Sequence, residues 1–176
     1  MIVKLMKTCG FLSAVMLAGT ASAQSQSENR VAAESDWAVY VEADPRECWA
    51  VSAPVETRNT RDGSPVEVSR GDIQMLIFYR PADNIAGQVM FAGGYPFAPG
   101  STVALTIGGT NYELFTEGDF AWPASAEDDA SIIAAMKRGA DATAVGRSAR
   151  GTQTSDRFSL IGFTAAVDEA ASRCTG

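Results

Sequence analysis

Apolar residues recur at every second position along much of this chain, the spacing expected of β-strands that bury one face. In the segment Trp37–Val41 the alternating large residues are Trp37, Val39 and Val41. Ile73–Tyr79 is apolar at nearly every position, as expected of a central strand covered on both faces. Short strands separated by Gly, Pro and Asp predict a mainly β fold, a β-sandwich. The predicted strands are Trp37–Val41, Cys48–Val51, Ile73–Tyr79, Gln88–Phe91, Thr102–Ile107, Asn111–Phe115, Ala142–Arg147 and Arg157–Ile161.

Turn-forming dipeptides separate several of these strands. Asp44-Pro45 predicts a turn after the first strand, and Gly108-Gly109 predicts a tight hairpin between Thr102–Ile107 and the strand that follows. Asp62-Gly63 lies within Asn59–Ser64, which we interpret as a loop or hairpin tip.

A helix is predicted between the strands, starting at Ser125. Ser125 is a typical N-cap residue, and Asp128 follows three positions later, where an acidic side chain completes a capping box. Ile132 and Met136 form part of the buried stripe, and Gly139 ends the helix.

The first 23 residues have the three parts of a secretory signal peptide. Lys4 and Lys7 supply positive charge, Phe11–Ala18 is a short apolar stretch, and Ala21-Ser22-Ala23 provides the small residues that signal peptidase requires. The alternative, a buried N-terminal helix, leaves this last pattern unexplained. We therefore expect removal of Met1–Ala23, a flexible leader over residues 24–35 and one domain over residues 36–176.

Cleavage after Ala23 would make an acidic chain more acidic. The full chain has 21 acidic and 14 basic residues, and loss of Lys4 and Lys7 leaves 12 basic residues and a net charge of −9. That balance argues against nucleic acid and against anionic lipid as partners held by charge. The mature part has no apolar run near the roughly 20 residues of a membrane-spanning helix, so no transmembrane segment is expected there.

Two cysteines remain after loss of the signal peptide, Cys48 and Cys174. An even number of cysteines in an oxidising compartment indicates a disulfide. A second helix is predicted after Thr164, in which Cys174 shares the inward face with Val167 and can reach a core strand. We expect a disulfide between Cys48 and Cys174; two buried thiols are the alternative.

The chain contains no histidine, which excludes Ser-His-Asp and Cys-His nucleophile systems and histidine-ligated zinc. Lys137 is the one lysine left after cleavage, and its place at a helix end favours a solvated cation over a Ser-Lys dyad. Gly146–Gly151 lacks the spacing of a nucleophile elbow and is interpreted as a basic turn.

The acidic residues do not identify a site either. A hydrolase needs two carboxylates held roughly 5–10 Å apart, and no spacing in the sequence selects such a pair. Glu127-Asp128-Asp129 lacks the alternating ligands of a calcium loop and is better explained by helix capping. No catalytic residue, metal site or cofactor is therefore predicted.

Three aromatic residues are candidate contact residues. Tyr95 and Phe97 lie in a Gly/Pro-rich segment, and Trp122 precedes Pro123. Exposed aromatic residues on loops often anchor proteins or sugars. The alternative is that they close the open end of the sandwich.

Ser159–Ala166 (SLIGFTAA), preceded by Arg150-Gly151-Thr152 and followed by a helix ending in Cys174, resembles the C-terminal signature of the invasion-associated locus B (IalB) family. Weaker similarities, to an α-proteobacterial branch of that family, extend the resemblance over about residues 36–174. They are Trp37-x-Val39, the Cys48 strand, Gly94-Tyr95-Pro96, Thr102–Gly109 and Ala135–Gly139.

The resemblance implies an immunoglobulin-like β-sandwich in the periplasm or associated with the outer membrane. The family's namesake is linked to host-cell invasion, and the resemblance transfers no catalytic residue. Other branches often carry an additional cysteine pair where this chain has Thr116–Phe120, so a single disulfide is expected here.

These observations predict a non-enzymatic envelope binding or accessory protein, which binds or supports another envelope or surface protein without a cofactor. One alternative is a periplasmic hydrolase with paired carboxylates, which requires two acids converging in a cleft. Another is a small-ligand or glycan-binding module that uses Tyr95, Phe97 and Trp122, which requires exposed, clustered aromatic side chains.

Overall fold

A computed structural model describes residues 29–175 of the chain. These residues form one antiparallel sheet of twelve strands, two α-helices and a single 3-10 turn at Pro81–Asp83, so the predicted mainly β fold with a C-terminal helix is confirmed. The expected signal peptide, Met1–Ala23, lies outside the described residues. The strands are β1 (Arg30–Glu34), β2 (Trp37–Ala43), β3 (Arg46–Ser52), β4 (Glu56–Arg61), β5 (Ser64–Pro65), β6 (Gln74–Arg80), β7 (Ile85–Ala92), β8 (Thr102–Ile107), β9 (Thr110–Glu117), β10 (Phe120–Trp122), β11 (Asp141–Arg147) and β12 (Gln153–Ser159). The helices are α1 (Ala126–Met136) and α2 (Phe163–Thr175).

The sheet folds over on itself to make the two layers of a sandwich. Its strand order is β1-β2-β3-β6-β7-β10-β9-β8-β11-β12-β4-β5. Phe91 on β7 and Phe158 on β12 are far apart in that order, yet their rings pack edge to face with centroids 6.1 Å apart. Trp37 on β2 donates from Nε1 to the backbone carbonyl of Ser159, at 3.0 Å. Side chains of the two layers therefore share one core.

Helix α2 covers one end of this core. Phe163 is fully buried and its ring packs edge to face on Trp37, with centroids 4.9 Å apart. Cys174 near the end of α2 is bonded to Cys48 on β3, with their Cα atoms 5.9 Å apart. The predicted disulfide is confirmed. Neither helix of residues 29–175 is long and apolar enough to cross a membrane.

Helix α1 is held by its first turn. Ser125 Oγ accepts a hydrogen bond from the backbone N–H of Asp128, which confirms the predicted N-cap. The carboxylate of Asp129 is buried and accepts a hydrogen bond of 2.8 Å from the backbone N–H of Val89 on β7. The acidic residues here thus cap the helix and anchor it to the sheet.

Three sequence-based boundaries were wrong. Arg30–Glu34, assigned to the flexible leader, is edge strand β1, which is held by backbone pairing with β2 and so needs no strong apolar pattern. Within Asn59–Ser64 only Asp62-Gly63 forms the hairpin tip, because the preceding residues belong to β4.

The third wrong boundary is that of the last strand, β12. It was predicted over Arg157–Ile161 but spans Gln153–Ser159. The two inward-facing residues of its first half, Thr154 and Asp156, are polar and fully buried, so the apolar alternation that marks the other strands is missing there.

Candidate functional site

A cleft of about 520 Å³ opens between the β5–β6 connection and the β11–β12 turn. Its lining comes from Arg61 and from three short segments, within residues 67–70, 94–96 and 148–154. We refer to it as the end cleft. It brings Tyr95, one of the three predicted contact residues, next to residues that are distant from it in the sequence.

The end cleft is built on a buried ion pair. Arg70 donates from Nη1 and Nη2 to the two carboxylate oxygens of Asp156, at 2.8 and 2.6 Å. Nε and Nη2 of Arg70 also donate to the carbonyl of Gly93, and Nη1 donates to Asn59 Oδ1. These bonds use all five guanidinium N–H groups. Burial raises the pKa of Asp156 above its ordinary value, and the hydrogen bonds and charge of Arg70 oppose that shift.

Tyr95 forms part of the wall, and Phe97 supports it from the core. The Tyr95 hydroxyl lies 2.5 Å from Thr154 Oγ1, and the Arg70 guanidinium sits 4.9 Å from the centre of the Tyr95 ring. Burial raises the pKa of Tyr95. Phe97 is only 6% exposed and its ring packs edge to face on Tyr95. The position of Phe97 agrees with the alternative considered for the aromatics, closure of an end of the sandwich.

The mouth of the end cleft is basic. Arg61 is exposed at the end of β4 and donates from Nη2 to Thr152 Oγ1, at 2.8 Å. Arg150 is exposed in the β11–β12 turn. That turn is closed by the N–H of Thr152, which donates to Ser148 Oγ at 3.1 Å. The segment Gly146–Gly151 therefore links two strands, as expected of a basic turn and unlike a nucleophile elbow.

Trp122 lies on a second surface, which shares no lining residue with the end cleft. On the outer side of the sheet, Trp122 on β10 is paired with Phe115 on β9, and its ring centroid is 5.9 Å from that of Phe120. Phe115 and Phe120 are 51% and 41% exposed, and Trp122 is half-buried. We refer to these three residues as the aromatic face. A shallow depression of about 410 Å³ lies beside Phe115 and Trp122.

Sequence reasoning found Trp122 but missed Phe115 and Phe120. The signal was present for Phe115, because strand alternation places it on the side opposite Leu114, which is fully buried. An aromatic residue at an outward position is the kind of exposed apolar side chain that calls for an explanation.

The other residues considered as catalytic or metal-binding candidates do not come together in a catalytic site. Lys137 Nζ lies 2.6 Å from Asp168 Oδ1, so its ammonium is held by a carboxylate on α2. Within residues 29–175, Glu67 is the one acidic side chain that lines the end cleft, and no cluster of three or more His, Cys, Asp or Glu residues could hold a metal ion. Both oxygens of Asp156 are bonded to Arg70 and shielded from solvent.

The chain shows similarity to a curated protein. A probable 3-hydroxyisobutyrate dehydrogenase-like 2 protein, mitochondrial, of Arabidopsis thaliana is 30% identical over 145 residues, which are 78% of this chain and 46% of that protein. This chain thus spans about half the length of that relative. All strand pairs of residues 29–175 are antiparallel, unlike the mostly parallel sheet of a dinucleotide-binding fold. No solved structure matches the chain.

The family model described as invasion associated locus B (IalB) protein matches residues 75–171. The match contains the whole aromatic face and the part of the end cleft formed by residues 94–96 and 148–154. Because the match covers more than half of the sequence, the chain belongs to the invasion associated locus B family.

Proposed function

We propose that this chain is an exported, non-enzymatic envelope protein, periplasmic or associated with the outer membrane, which binds another envelope or surface protein. The observation that carries the proposal is the aromatic face. Phe115, Phe120 and Trp122 present apolar rings on the outer side of a sheet whose inner side already forms the core. Aromatic residues dominate the energetics of many protein interfaces, especially when they are clustered.

The arrangement of charged groups supports a binding role over a hydrolytic one. A carboxylate hydrolase requires two acids that converge on a substrate. In the end cleft Asp156 is held by Arg70 below the surface, and Glu67 stands at the mouth without a second exposed acid among the described lining residues. Membership of the invasion associated locus B family supports an envelope-associated accessory role.

Export is supported by the three-part N-terminal sequence and by the oxidised Cys48–Cys174 pair, since disulfides persist mainly outside the cytoplasm. Mass spectrometry of the protein from an envelope fraction tests it. We expect a mature chain that starts at Gln24. A chain that still starts at Met1 in that fraction contradicts the proposal.

The binding role is tested with a photo-crosslinking amino acid introduced at Phe115 in intact cells. The matched control carries the same amino acid at Val55, which is 50% exposed and precedes β4, four strands from β9 in the sheet. We expect a discrete adduct with one envelope protein from position 115 and none from position 55. No adduct at position 115, or the same adducts at both positions, argues against this surface as the partner contact.

A further inference from the structure

We propose that the end cleft is a binding site for an acidic saccharide, a sugar-sized ligand that carries hydroxyl groups and one oxyanion, either carboxylate or phosphate. This site is additional to the aromatic face and shares none of its residues. The two proposals can therefore fail independently.

The positive charge at the mouth of the end cleft favours an anionic ligand. Arg61 and Arg150 are both exposed there, and neither forms a salt bridge with an acidic residue within residues 29–175. Glu67 adds one negative charge, whereas Arg70 and Asp156 neutralise each other. The mouth thus has a positive excess in a protein with a net charge of −7. Guanidinium groups match the planar carboxylate and the phosphate group through paired hydrogen bonds.

The uncharged lining fits hydroxyl groups. Ser69 is exposed at the cleft, and Ser148 and Thr152 line its wall. Ser148 Oγ accepts a bond from the N–H of Thr152, and Thr152 Oγ1 accepts one from Arg61. A hydroxyl has one donor and two acceptor positions, so both groups keep bonding capacity for a ligand.

The backbone beside the end cleft argues against an extended peptide as the ligand. A peptide that adds to a sheet needs an unpaired strand edge. Strand β12 is paired with β11 on one side and with β4 on the other. The edge strand β5, which pairs with the end of β4, has only two residues, and one of them is Pro65, which has no backbone N–H to donate. Strand addition by a peptide is therefore disfavoured, and a volume of about 520 Å³ lies in the range of small-molecule sites.

The floor of the end cleft is preorganised for such a ligand. The bonds from Arg70 to Asp156 and Gly93 join the β5–β6 connection to β12 and to the segment that carries Tyr95. Tyr95 is in turn held by Thr154. Groups fixed before binding lose less conformational entropy when the ligand arrives.

Isothermal titration of the purified, disulfide-bonded chain tests the proposal with four probes: D-glucuronate, D-glucose 6-phosphate, D-glucose and inorganic phosphate. We expect saturable binding of one or both acidic sugars at low ionic strength, weakening as salt is added. The two acidic sugars show whether the oxyanion is carboxylate or phosphate. If neither acidic sugar binds, if glucose binds equally well, or if inorganic phosphate binds as tightly as the sugar phosphate, the proposal is wrong.

Single substitutions test whether the acidic sugar binds in the end cleft. Arg150→Ala and Arg61→Ala are each expected to weaken binding of the acidic sugar about tenfold or more, because each removes a charge-assisted hydrogen bond. Arg150→Lys keeps the charge and should retain part of the affinity. The matched control is Arg138→Ala, which removes an equal charge from an exposed arginine outside the end cleft and should leave the affinity unchanged. Equal losses in all three alanine variants, with thermal unfolding unchanged, show that binding does not occur at the end cleft.

Discussion

Arg70 and Asp156 lie 86 residues apart in the chain and form a bidentate ion pair. The side chain of Arg70 is only 6% exposed and that of Asp156 is 0% exposed. Burial of two charges is expensive, so a pair of this kind is weak evidence for added stability. The ion pair mainly fixes the relative positions of two segments of the chain. It ties the β5–β6 connection to β12 and thereby defines the shape of the end cleft.

Removal of one partner should be strongly destabilising. In Arg70→Ala the Asp156 carboxylate stays buried without its cation, and we expect a loss of about 3–5 kcal/mol in the free energy of unfolding. Urea denaturation measures it. The exposed pair of Lys137 and Asp168 supplies the control, since Lys137→Ala should change the same quantity by less than about 1 kcal/mol. Similar losses in the two variants contradict the assignment of a buried, uncompensated charge.

The disulfide should contribute much of the global stability. It joins residues separated by 126 positions, and the chain-entropy model gives a destabilisation of about 5 kcal/mol on opening a loop of that size. We expect Cys48→Ala/Cys174→Ala to unfold at a clearly lower urea concentration than the oxidised protein. Wild-type protein treated with a reductant is the matched control and should behave as the double variant does. An unfolding midpoint that reduction leaves unchanged excludes this role.

Asp129 should make the free energy of unfolding depend on pH, and the direction of its pKa shift determines the direction of that dependence. Burial raises its pKa above the ordinary value of 3.8, despite the hydrogen bond that it accepts from Val89. The folded state therefore binds the proton more tightly than the unfolded chain does, and this residue's contribution to stability falls as the pH rises from below 3.8 through the folded-state pKa.

Asp129→Asn removes the titration but keeps an oxygen that can accept from Val89. The stability of this variant relative to the wild type should therefore increase as the pH rises from below 3.8 to neutrality, measured by urea denaturation at a series of pH values. Asp129→Ala also removes the acceptor and should be less stable by about 1–3 kcal/mol at neutral pH. A difference between the Asn variant and the wild type that does not change with pH, or that changes in the opposite direction, refutes the argument.

The exposure of the aromatic face can be tested by comparing variants of Phe115 and of its buried neighbour Leu114. Phe115 is 51% exposed, whereas Leu114, the adjacent residue on β9, is fully buried. Phe115→Ser should lower the free energy of unfolding by only about 1 kcal/mol, through loss of its cross-strand contact with Trp122 and lower strand propensity. Leu114→Ala should lower it by about 2–5 kcal/mol through loss of apolar contacts and creation of a cavity. If the serine variant is as unstable as the alanine variant, Phe115 is part of the core and cannot serve as a contact residue.

The parts of the fold that local physics determines were predictable from the sequence. Strand β6 follows from a continuous apolar run, and the start of α1 follows from its N-cap, Ser125. The helix ends at Met136, three residues before Gly139, the predicted stop. Strands β1 and β4 were not recognised, because β1 at the sheet edge and β4 beside the two-residue edge strand β5 are held by backbone pairing and carry many exposed polar residues. Apolar periodicity carries little information about such strands.

The candidate site was predictable only in its aromatic parts. Tyr95 and Trp122 stand out from their Gly/Pro context, but the partnership of Arg70 with Asp156 depends on a contact between distant segments. A local clue did exist in β12, where the alternating residues Thr154 and Asp156 are polar although they point into the protein. Buried polar residues in strand alternation indicate that a partner must arrive from elsewhere in the chain.

Gly162, in the segment that carried the family resemblance, is predicted to be essential for the junction between β12 and α2. It has φ of +87°, and a Cβ atom there would overlap the backbone carbonyl of Glu34 on β1. Gly162→Ala should therefore combine backbone strain with a steric conflict that rigid main chain cannot relieve. The matched control is Gly63→Ala, at φ of +79° with nothing within 4 Å, which should lose only about 1 kcal/mol from backbone strain.

We expect a larger loss of unfolding free energy for Gly162→Ala, together with faster amide hydrogen exchange in Arg30–Glu34, because β1 must shift to make room for the new methyl group. Gly63→Ala should leave exchange in β1 unchanged. Equal losses in the two variants, with unchanged exchange in β1, mean that Gly162 serves only the backbone conformation and not the close approach of β1 to the start of α2.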